Sequence, residues 1–454
     1  MLSVLIHTLG CKLNQLESEA ITSAFLRCGF VLTDGSAFPP SVIVINTCTV
    51  TSKADQKARR VIRKALRDYP DSCVIVTGCY AQLNHAQISG LETGGRRRLF
   101  VLKGREKDAL LNLPRYINEG ADPCLAVKAW EQADAAHDRS AVSQFSPERF
   151  SGHTRSFLKI QDGCDKHCTY CRIRLARGAS VSLEAEQVLE RLRILEKNHA
   201  EAVLTGVNIC QYRGISAVNL GQLLEYMLAG TKKISLRLSS LAPESIDGDF
   251  AKILSSKRIR PHFHLSIQSG SEKILERMGR SYNAETVKKA VALLRSTKDD
   301  PFLACDIIAG FPGETGEEFE KTRELCQKTD FAWIHVFPYS RRPDTPAWSF
   351  SETVQEKEIS RRVQILTDLA RQGKAGYVRR WFGREVEVLV EKGDAGKSFC
   401  RGVSENYLKL LVQYHGGGKA PPPGSILRCK LLEEGMASVP QENGFCADAV
   451  AEEL

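Results

Sequence analysis

The chain has 454 residues, which at about 150 residues per domain corresponds to roughly three domains. Hydrophobic residues make up 43% and charged residues 26%, an ordinary globular composition that excludes a disordered or fibrous chain. Lys and Arg number 63 against 54 Asp and Glu, a net charge of +9 that favours an acidic partner without specifying it.

In chain order, short β-branched runs at 3–8, 41–46 and 73–77 alternate with helical patterns at 16–28 and 53–69, and a third helical pattern begins near Ala81. Strands that alternate with helices predict a parallel sheet. Each of these strands runs into a cysteine in a small-residue turn: Leu9-Gly10-Cys11, Thr47-Cys48 and Gly78-Cys79. The carboxyl ends of parallel strands share one edge, where open α/β sheets place their ligands, so the three thiols are expected to meet. The pattern weakens from His85 to Thr154, and the polar stretch at 131–148 predicts a linker with a boundary near 140–150. A longer series follows, with strands predicted at 157–161, 202–205, 234–239, 262–267, 303–309 and 333–339. This spacing suits six βα units curling into a partial TIM-like barrel with its site at the strand C-termini. Past Gly376, strand-like segments at 386–390, 407–412 and 425–432, punctuated by Gly416-Gly417-Gly418 and Pro421-Pro422-Pro423, predict a small β-barrel. The expected fold class is therefore α/β in three units: a parallel-sheet domain over 1–140, a partial (βα)6 barrel over 150–375 and a β-barrel over 376–440.

Fifteen cysteines are about double the expectation for a cytosolic protein of this size. No apolar run reaches the roughly 18 residues of a membrane span. Residues 1–10 lack a charged n-region and an Ala-x-Ala site. The expectation is a cytoplasmic protein with no membrane partner, in a reducing compartment where grouped cysteines hold metal more often than disulfides. The sharpest group is Gly163-Cys164-Asp165-Lys166-His167-Cys168-Thr169-Tyr170-Cys171, directly after the first barrel strand. Three thiolates on one tight loop can bind three irons of a cubane and leave the fourth open to substrate. A structural zinc site wants four ligands, and His167 could supply the fourth.

The loop resembles the signature of the radical S-adenosylmethionine (SAM) superfamily. The resemblance implies a [4Fe–4S] cluster on Cys164, Cys168 and Cys171 whose open iron chelates SAM. An external electron donor then allows the sulfonium to split to a 5′-deoxyadenosyl radical. Tyr170 matches the aromatic that the superfamily places against adenine. The stretches Leu204-Thr205-Gly206-Val207-Asn208, Arg237-Leu238-Ser239-Ser240, Leu265-Ser266-Ile267-Gln268-Ser269-Gly270, DIIAGFPGET at 306–315 and HVFPYS at 335–340 are also family-like. They mark Thr205, Gly206, Ser239 and Gln268 as expected SAM contacts. Strand alternation puts His264, Ser266 and Gln268 on one face, although luminal polar residues such as His262 and His264 can equally form a satisfied buried network. Gly310-Phe311-Pro312-Gly313 is a turn signal, and the resemblance has it shape the adenosine pocket.

TLGCKLNQ at 8–15, INTCTVT at 45–51 and Thr77-Gly78-Cys79 resemble the N-terminal domain of the methylthiotransferases. In that family Cys11, Cys48 and Cys79 would hold a second, auxiliary [4Fe–4S] cluster. One SAM would methylate a sulfur held there, while a second supplies the radical. The family has three branches, acting on isopentenyl-adenosine in tRNA, on an aspartate of a ribosomal protein, and on N6-threonylcarbamoyladenosine in tRNA. The first-cysteine motif and NTCTVTSKADQKARR at 46–60 resemble the third, which implies a tRNA anticodon stem-loop as substrate and an unspecified sulfur source. The sequence departs from the family in Arg172-Ile173-Arg174-Leu175, where an Ile-Pro-Tyr-like step is usual, so the contour after the loop is open. The segment 382–432 resembles the RNA-binding TRAM module.

Charge distribution points the same way. The helix predicted at 53–67 carries Lys53, Lys57, Arg59, Arg60, Arg63, Lys64 and Arg67 against Asp55 alone, with an apolar stripe at helical spacing. Residues 376–430 are also basic, while 431–454 hold six acids and no Lys or Arg and read as an acidic tail. Two basic patches flanking a barrel fit binding to a phosphate backbone. The remaining nine cysteines show no ligand spacing and are expected to pack. The rival from another class is a non-catalytic, zinc-stabilised RNA-binding protein.

Overall fold

The computed structural model describes residues 1–92, 97–117, 121–133, 145, 147, 154–393, 399–414, 420–433 and 446–454. The linker and boundary expected near 140–150, the triple glycine at 416–418 and much of the acidic tail fall largely outside them. The N-terminal unit is a five-stranded sheet in the order Val31–Leu32, Ser3–Thr8, Val42–Thr47, Cys73–Gly78, Leu99–Val101, parallel throughout. Its central strands are β-branched because both faces are covered. Val42 and Val44 pack with Leu16, Ile21 and Phe25 of the helix Lys12–Arg27. Ile43 and Ile45 turn the other way onto Ala58, Ile62 and Ala65 of the helix Ser52–Asp68. That second helix starts where the Thr51 side chain accepts the Ala54 amide, an N-cap bond. Lys53, Lys57, Arg60, Arg63, Lys64 and Arg67 are exposed on it, whereas Arg59 folds back to donate to the Tyr80 hydroxyl at 2.9 Å.

The central unit contains the six expected strands as two parallel three-stranded sheets. One pairs Ser156–Lys159, Glu201–Thr205 and Ser235–Leu238, and the other His262–Gln268, Phe302–Ala309 and Trp333–Pro338. A parallel bridge between Leu241 and Leu265 joins them into one curved wall. The first strand ends at Lys159, short of the predicted 161, because Gln161–Asp162 leaves to pair with Val181–Ser182. Helices Ala185–Glu196, Leu220–Gly230, Gly248–Leu254, Ala284–Thr297 and Gly316–Thr329 fill the crossovers.

Two boundaries differ from expectation. The cut at 375/376 falls inside one continuous helix, Glu356–Trp381. Its first half buries Leu366 and Ala370 in the central core, and its second half buries Tyr377, Val378 and Trp381 in the core of the C-terminal unit. The C-terminal unit does not stop at 440. It is a closed five-stranded barrel of Glu385–Gly393, Phe399–Ser404, Lys409–Gln413, Ala449–Glu453 and Ile426–Leu431. The part of the expected acidic tail at 449–453 is thus a barrel strand, which pairs with Lys409–Gln413 on one side and Ile426–Leu431 on the other. Among the described residues no helix is long and apolar enough to cross a membrane.

Candidate functional site

The three N-terminal cysteines come together as the strand edges predicted. Cys11 precedes the helix Lys12–Arg27, Cys48 follows the strand Val42–Thr47, and Cys79 follows Cys73–Gly78. All three line one cavity of about 590 Å³. Side chains of the motifs hold the three loops together. Asn14 Nδ2 donates to the Leu9 carbonyl at 2.7 Å and the Thr47 carbonyl at 3.0 Å, tying the first loop to the second. Thr47 Oγ1 donates to the Thr77 carbonyl at 2.5 Å and accepts from the Ala81 amide at 3.3 Å, tying the second to the third. Gly10 sits at φ +101°, and a Cβ there would lie 2.5 Å from Cys48 Cβ. Only glycine permits both that backbone and that approach.

Burial pushes the Cys48 thiol up to about 11, with Cys11 and Cys79 adding to the rise. A thiol raised in this way stays protonated until a cation shares the space, and bound metal provides one. Among the described residues no three His, Cys, Asp or Glu side chains converge on one point as a single metal ion requires. A cubane asks for less convergence, because each thiolate takes its own iron. Three thiols on the wall of one cavity are a donor set of the kind a cubane takes, one thiolate to each of three irons.

The second trio lies on the loop after Gln161–Asp162. Burial raises the Cys171 thiol to about 11, and Cys168 and Cys164 contribute. Cys164 shifts upward for the same first reason, burial, with Cys168 adding to it. The Ile173 amide donates to Cys171 Sγ at 3.4 Å, and the Cys171 amide donates to the Cys168 carbonyl at 3.0 Å. Thr169 anchors the loop through Arg277, Met278 and Ala347. His167 contacts Arg174.

Of the expected SAM contacts, Thr205, Gly206 and Ser239 line the cavity that holds the first trio. Tyr170 and Gln268 are outside its lining. The Tyr170 hydroxyl accepts from Arg280 at 2.7 Å, its ring meets Phe311 edge-on at 6.3 Å, and burial drives its pKa upward. Gln268 has φ +68°, with a register shift between Leu265 and Gln268, so the simple alternation along that strand breaks before its end. His264 belongs to a polar chain. Its Nδ1 is 2.7 Å from Ser240 Oγ, and its Nε2 is 3.1 Å from Asp306 Oδ1. His262 stacks on Tyr407 with ring centroids 4.1 Å apart.

In the departure segment Arg172 pairs with Asp344 at 2.8 Å, Leu175 is exposed, and Ile173 joins the cavity lining. Ile173 thus links the loop of the second trio to the space around the first. Of the other nine cysteines, Cys73, Cys124, Cys305, Cys326, Cys400 and Cys429 are buried, Cys210 is half-buried, and Cys28 and Cys446 are exposed.

Sequence reasoning missed the buried charges that fasten the two units. Arg177 Nη1 pairs with Glu17 and Asp162 at 3.0 Å each, its Nη2 donates to Asn14 Oδ1 at 2.8 Å, and its Nε reaches Cys79 Sγ at 3.3 Å. Glu17 also takes Lys107 and Lys159. Burial would raise the Glu17 carboxyl, but Arg177, Lys107 and Lys159 outweigh it and hold it well below the usual range. A second clamp runs from Arg342 to Asp55 at 2.6 Å and to Thr49, the residue after Cys48. The one available signal was the buried-type position of Glu17 on an otherwise apolar helix face.

The partial barrel with a three-cysteine loop at its first strand defines a radical SAM protein. The Radical SAM superfamily matches residues 158–326, and a family described as uncharacterized protein family UPF0004 matches residues 3–94. The threonylcarbamoyladenosine tRNA methylthiotransferase MtaB of Treponema pallidum is 39% identical, over 96% of this chain and 99% of that protein. The protein of the same name from Bacillus subtilis is 33% identical, over 100% and 98%. Among solved structures, the radical SAM methyltransferase TsrM of Kitasatospora setae matches with a TM-score of 0.51 at 16% identity, over 76% of this chain and 74% of that one, a likeness of fold alone. The chain belongs to the MtaB family of threonylcarbamoyladenosine tRNA methylthiotransferases.

Proposed function

We propose that this protein is a radical SAM enzyme that adds a methylthio group to C2 of N6-threonylcarbamoyladenosine beside the tRNA anticodon. The observation that carries the reading is the cavity in which Cys11, Cys48 and Cys79 face the C-terminal ends of barrel strands at Thr205, Gly206 and Ser239. The C2–H bond of adenine is unactivated, so general acid–base or nucleophilic side chains have no purchase on it. Two [4Fe–4S] clusters and SAM, as methyl donor and radical source, supply that chemistry when bound.

The residues of the chain position and enclose. Cys11, Cys48 and Cys79 hold the auxiliary cluster, and Cys164, Cys168 and Cys171 hold the SAM-binding one. Thr205, Gly206 and Ser239 form the SAM-facing wall, and Tyr170 and Gln268 complete it from outside the open cavity. Asn14 and Thr47 keep the first trio in register, while Arg177 locks that trio to the barrel and offsets thiolate charge at Cys79. The N-terminal unit is the auxiliary-cluster domain, the central barrel is the catalytic domain, and the C-terminal barrel is a TRAM-type RNA-binding module that extends to Glu453. An external electron donor and a sulfur source act with it, in the cytoplasm where tRNA is modified.

Nucleoside mass spectrometry of tRNA from a deletion strain tests the substrate. Loss of 2-methylthio-N6-threonylcarbamoyladenosine is expected, and an unchanged level excludes the reading. Anaerobic reconstitution should load about eight irons per chain, two cubanes of four. Four irons, unaffected by replacing Cys11, Cys48 and Cys79 together with Ala, would defeat the two-cluster assignment.

A further inference from the structure

We propose that Lys12 reads the threonyl carboxylate of the modified adenosine. This rests on the substrate proposed above and adds to it the group that selects it. The cavity around the first trio is lined by the cations Lys12 and Arg177 and the carboxylate Asp306. Arg177 is saturated by Glu17, Asp162 and Asn14, and Asp306 faces His264. Behind the wall, Arg155 has Glu391 at 2.9 Å, Arg237 has Glu201 at 2.7 Å, and Arg260 has Glu387 at 2.7 Å. Each arginine near Lys12 thus owns a carboxylate. Lys12 has no carboxylate of its own: Glu201, which Arg237 and Arg260 share, and the Tyr407 phenol act on it only at longer range, and it makes no hydrogen bond or ion pair among the described residues.

A cation in a recess is costly without a counter-charge, so this lysine awaits an anion brought by a ligand. It is the first residue of the helix Lys12–Arg27, whose N-cap, Cys11, makes no capping hydrogen bond, and Leu13 and Asn14 of the same turn line the cavity. The uncapped helix terminus adds positive potential at the same place. Two anions on the RNA have the right chemistry: the carboxylate of the threonylcarbamoyl group and a backbone phosphate. The cavity favours the carboxylate. Lys12 sits beside Cys11 inside a recess sized for a splayed nucleobase, whereas the exposed cations of Ser52–Asp68 serve the backbone outside it. Uncharged N6 substituents would leave the ammonium unpaired, so the same residue rejects them.

The test is equilibrium binding of the reconstituted holoenzyme to three anticodon hairpins that differ only at the target adenosine: threonylcarbamoylated, its threonyl carboxamide, and unmodified. All three carry the same phosphates. The native protein is expected to prefer the first. Lys12→Met should weaken that hairpin roughly tenfold to a hundredfold, the worth of one hydrogen bond to a charged group, and leave the other two unchanged. Lys12→Arg should keep most of the preference, and iron content should stay at the native value in both variants. A preference that survives Lys12→Met overturns the proposal, as does an equal loss on all three hairpins, which would mark a phosphate contact or a damaged site. A native enzyme that methylthiolates only a different nucleoside would instead overturn the proposed substrate, and this carboxylate reading with it.

Discussion

Asn14 shows how one side chain can fix the geometry of a three-cysteine site. Its amide bridges the carbonyls of Leu9 and Thr47 and its oxygen receives Arg177, so three chain segments meet at a residue that binds no iron. Asn14→Leu leaves all six cysteines in place but removes those three bonds. Reconstituted iron should fall from about eight toward about four per chain, and the clusters lost should be those that depend on Cys11, Cys48 and Cys79. Glu17 is equally exacting. It is 1% exposed and contacts Lys107, Lys159 and Arg177. Glu17→Gln leaves the buried Lys107 without its carboxylate and Lys159 and Arg177 with Asp162 alone, a loss of about 3–5 kcal/mol that denaturant titration would register as a lower midpoint with an unchanged slope. The cysteines of this site were legible because each follows a strand that carries its own local pattern. The pairing of Glu17 with Arg177 was not, since they lie 160 residues apart in sequence: Glu17 shows only as an acid on an apolar helix face, and nothing periodic points to its partner.

At the scale of elements, the same contrast recurs. The six barrel strands were readable because buried parallel strands read as short, largely apolar runs, as in FLACDIIA at Phe302–Ala309, and recur at the spacing of βα units. The helix Glu356–Trp381 runs through both units and contains the domain boundary expected at 375/376. Its Gly373 marks no stop: the helix presses there against the Phe331 carbonyl, where a Cβ would overlap it. That helix carries the C-terminal barrel against the central one, where Tyr377 donates to the Asp300 carbonyl at 2.8 Å and accepts from Asn406 at 3.1 Å. His262 completes the seam, stacked on Tyr407 and 6% exposed. Burial first, then Arg237, Lys12, His264 and Arg155, depress its pKa well below the ordinary value. The folded protein therefore keeps it neutral, while the unfolded chain takes up a proton near pH 6.5. Its contribution is fully present above about pH 6.5 and is lost as the pH falls further. Thermal unfolding followed from about pH 7.5 down to about pH 5.5 should show a declining midpoint in the native protein, and a flatter profile in His262→Phe.

For the whole molecule, charge counting and topology make opposite predictions about the C-terminus. Residues 431–454 hold six acids and no Lys or Arg, so a view built on net charge treats them as a repulsive tail whose removal should strengthen RNA binding. The fold assigns 449–453 a different role. Ala449 and Ala451 are fully buried, and the strand they belong to closes the C-terminal barrel between Lys409–Gln413 and Ile426–Leu431. Its short, half-acidic sequence gave no strand signal, because alternation over five residues ending in two glutamates reads as a solvated end. Deleting 441–454 opens the barrel, exposes two unpaired strand edges and uncovers the core beneath Ala449 and Ala451. The truncated protein should be cleaved by protease within the C-terminal unit at concentrations that spare the full chain, and should bind an anticodon hairpin more weakly. Neutralising the six acids without shortening the chain separates the two effects. If charge governs, that variant and the truncation should both bind more tightly, whereas if closure governs, only the truncation should lose affinity.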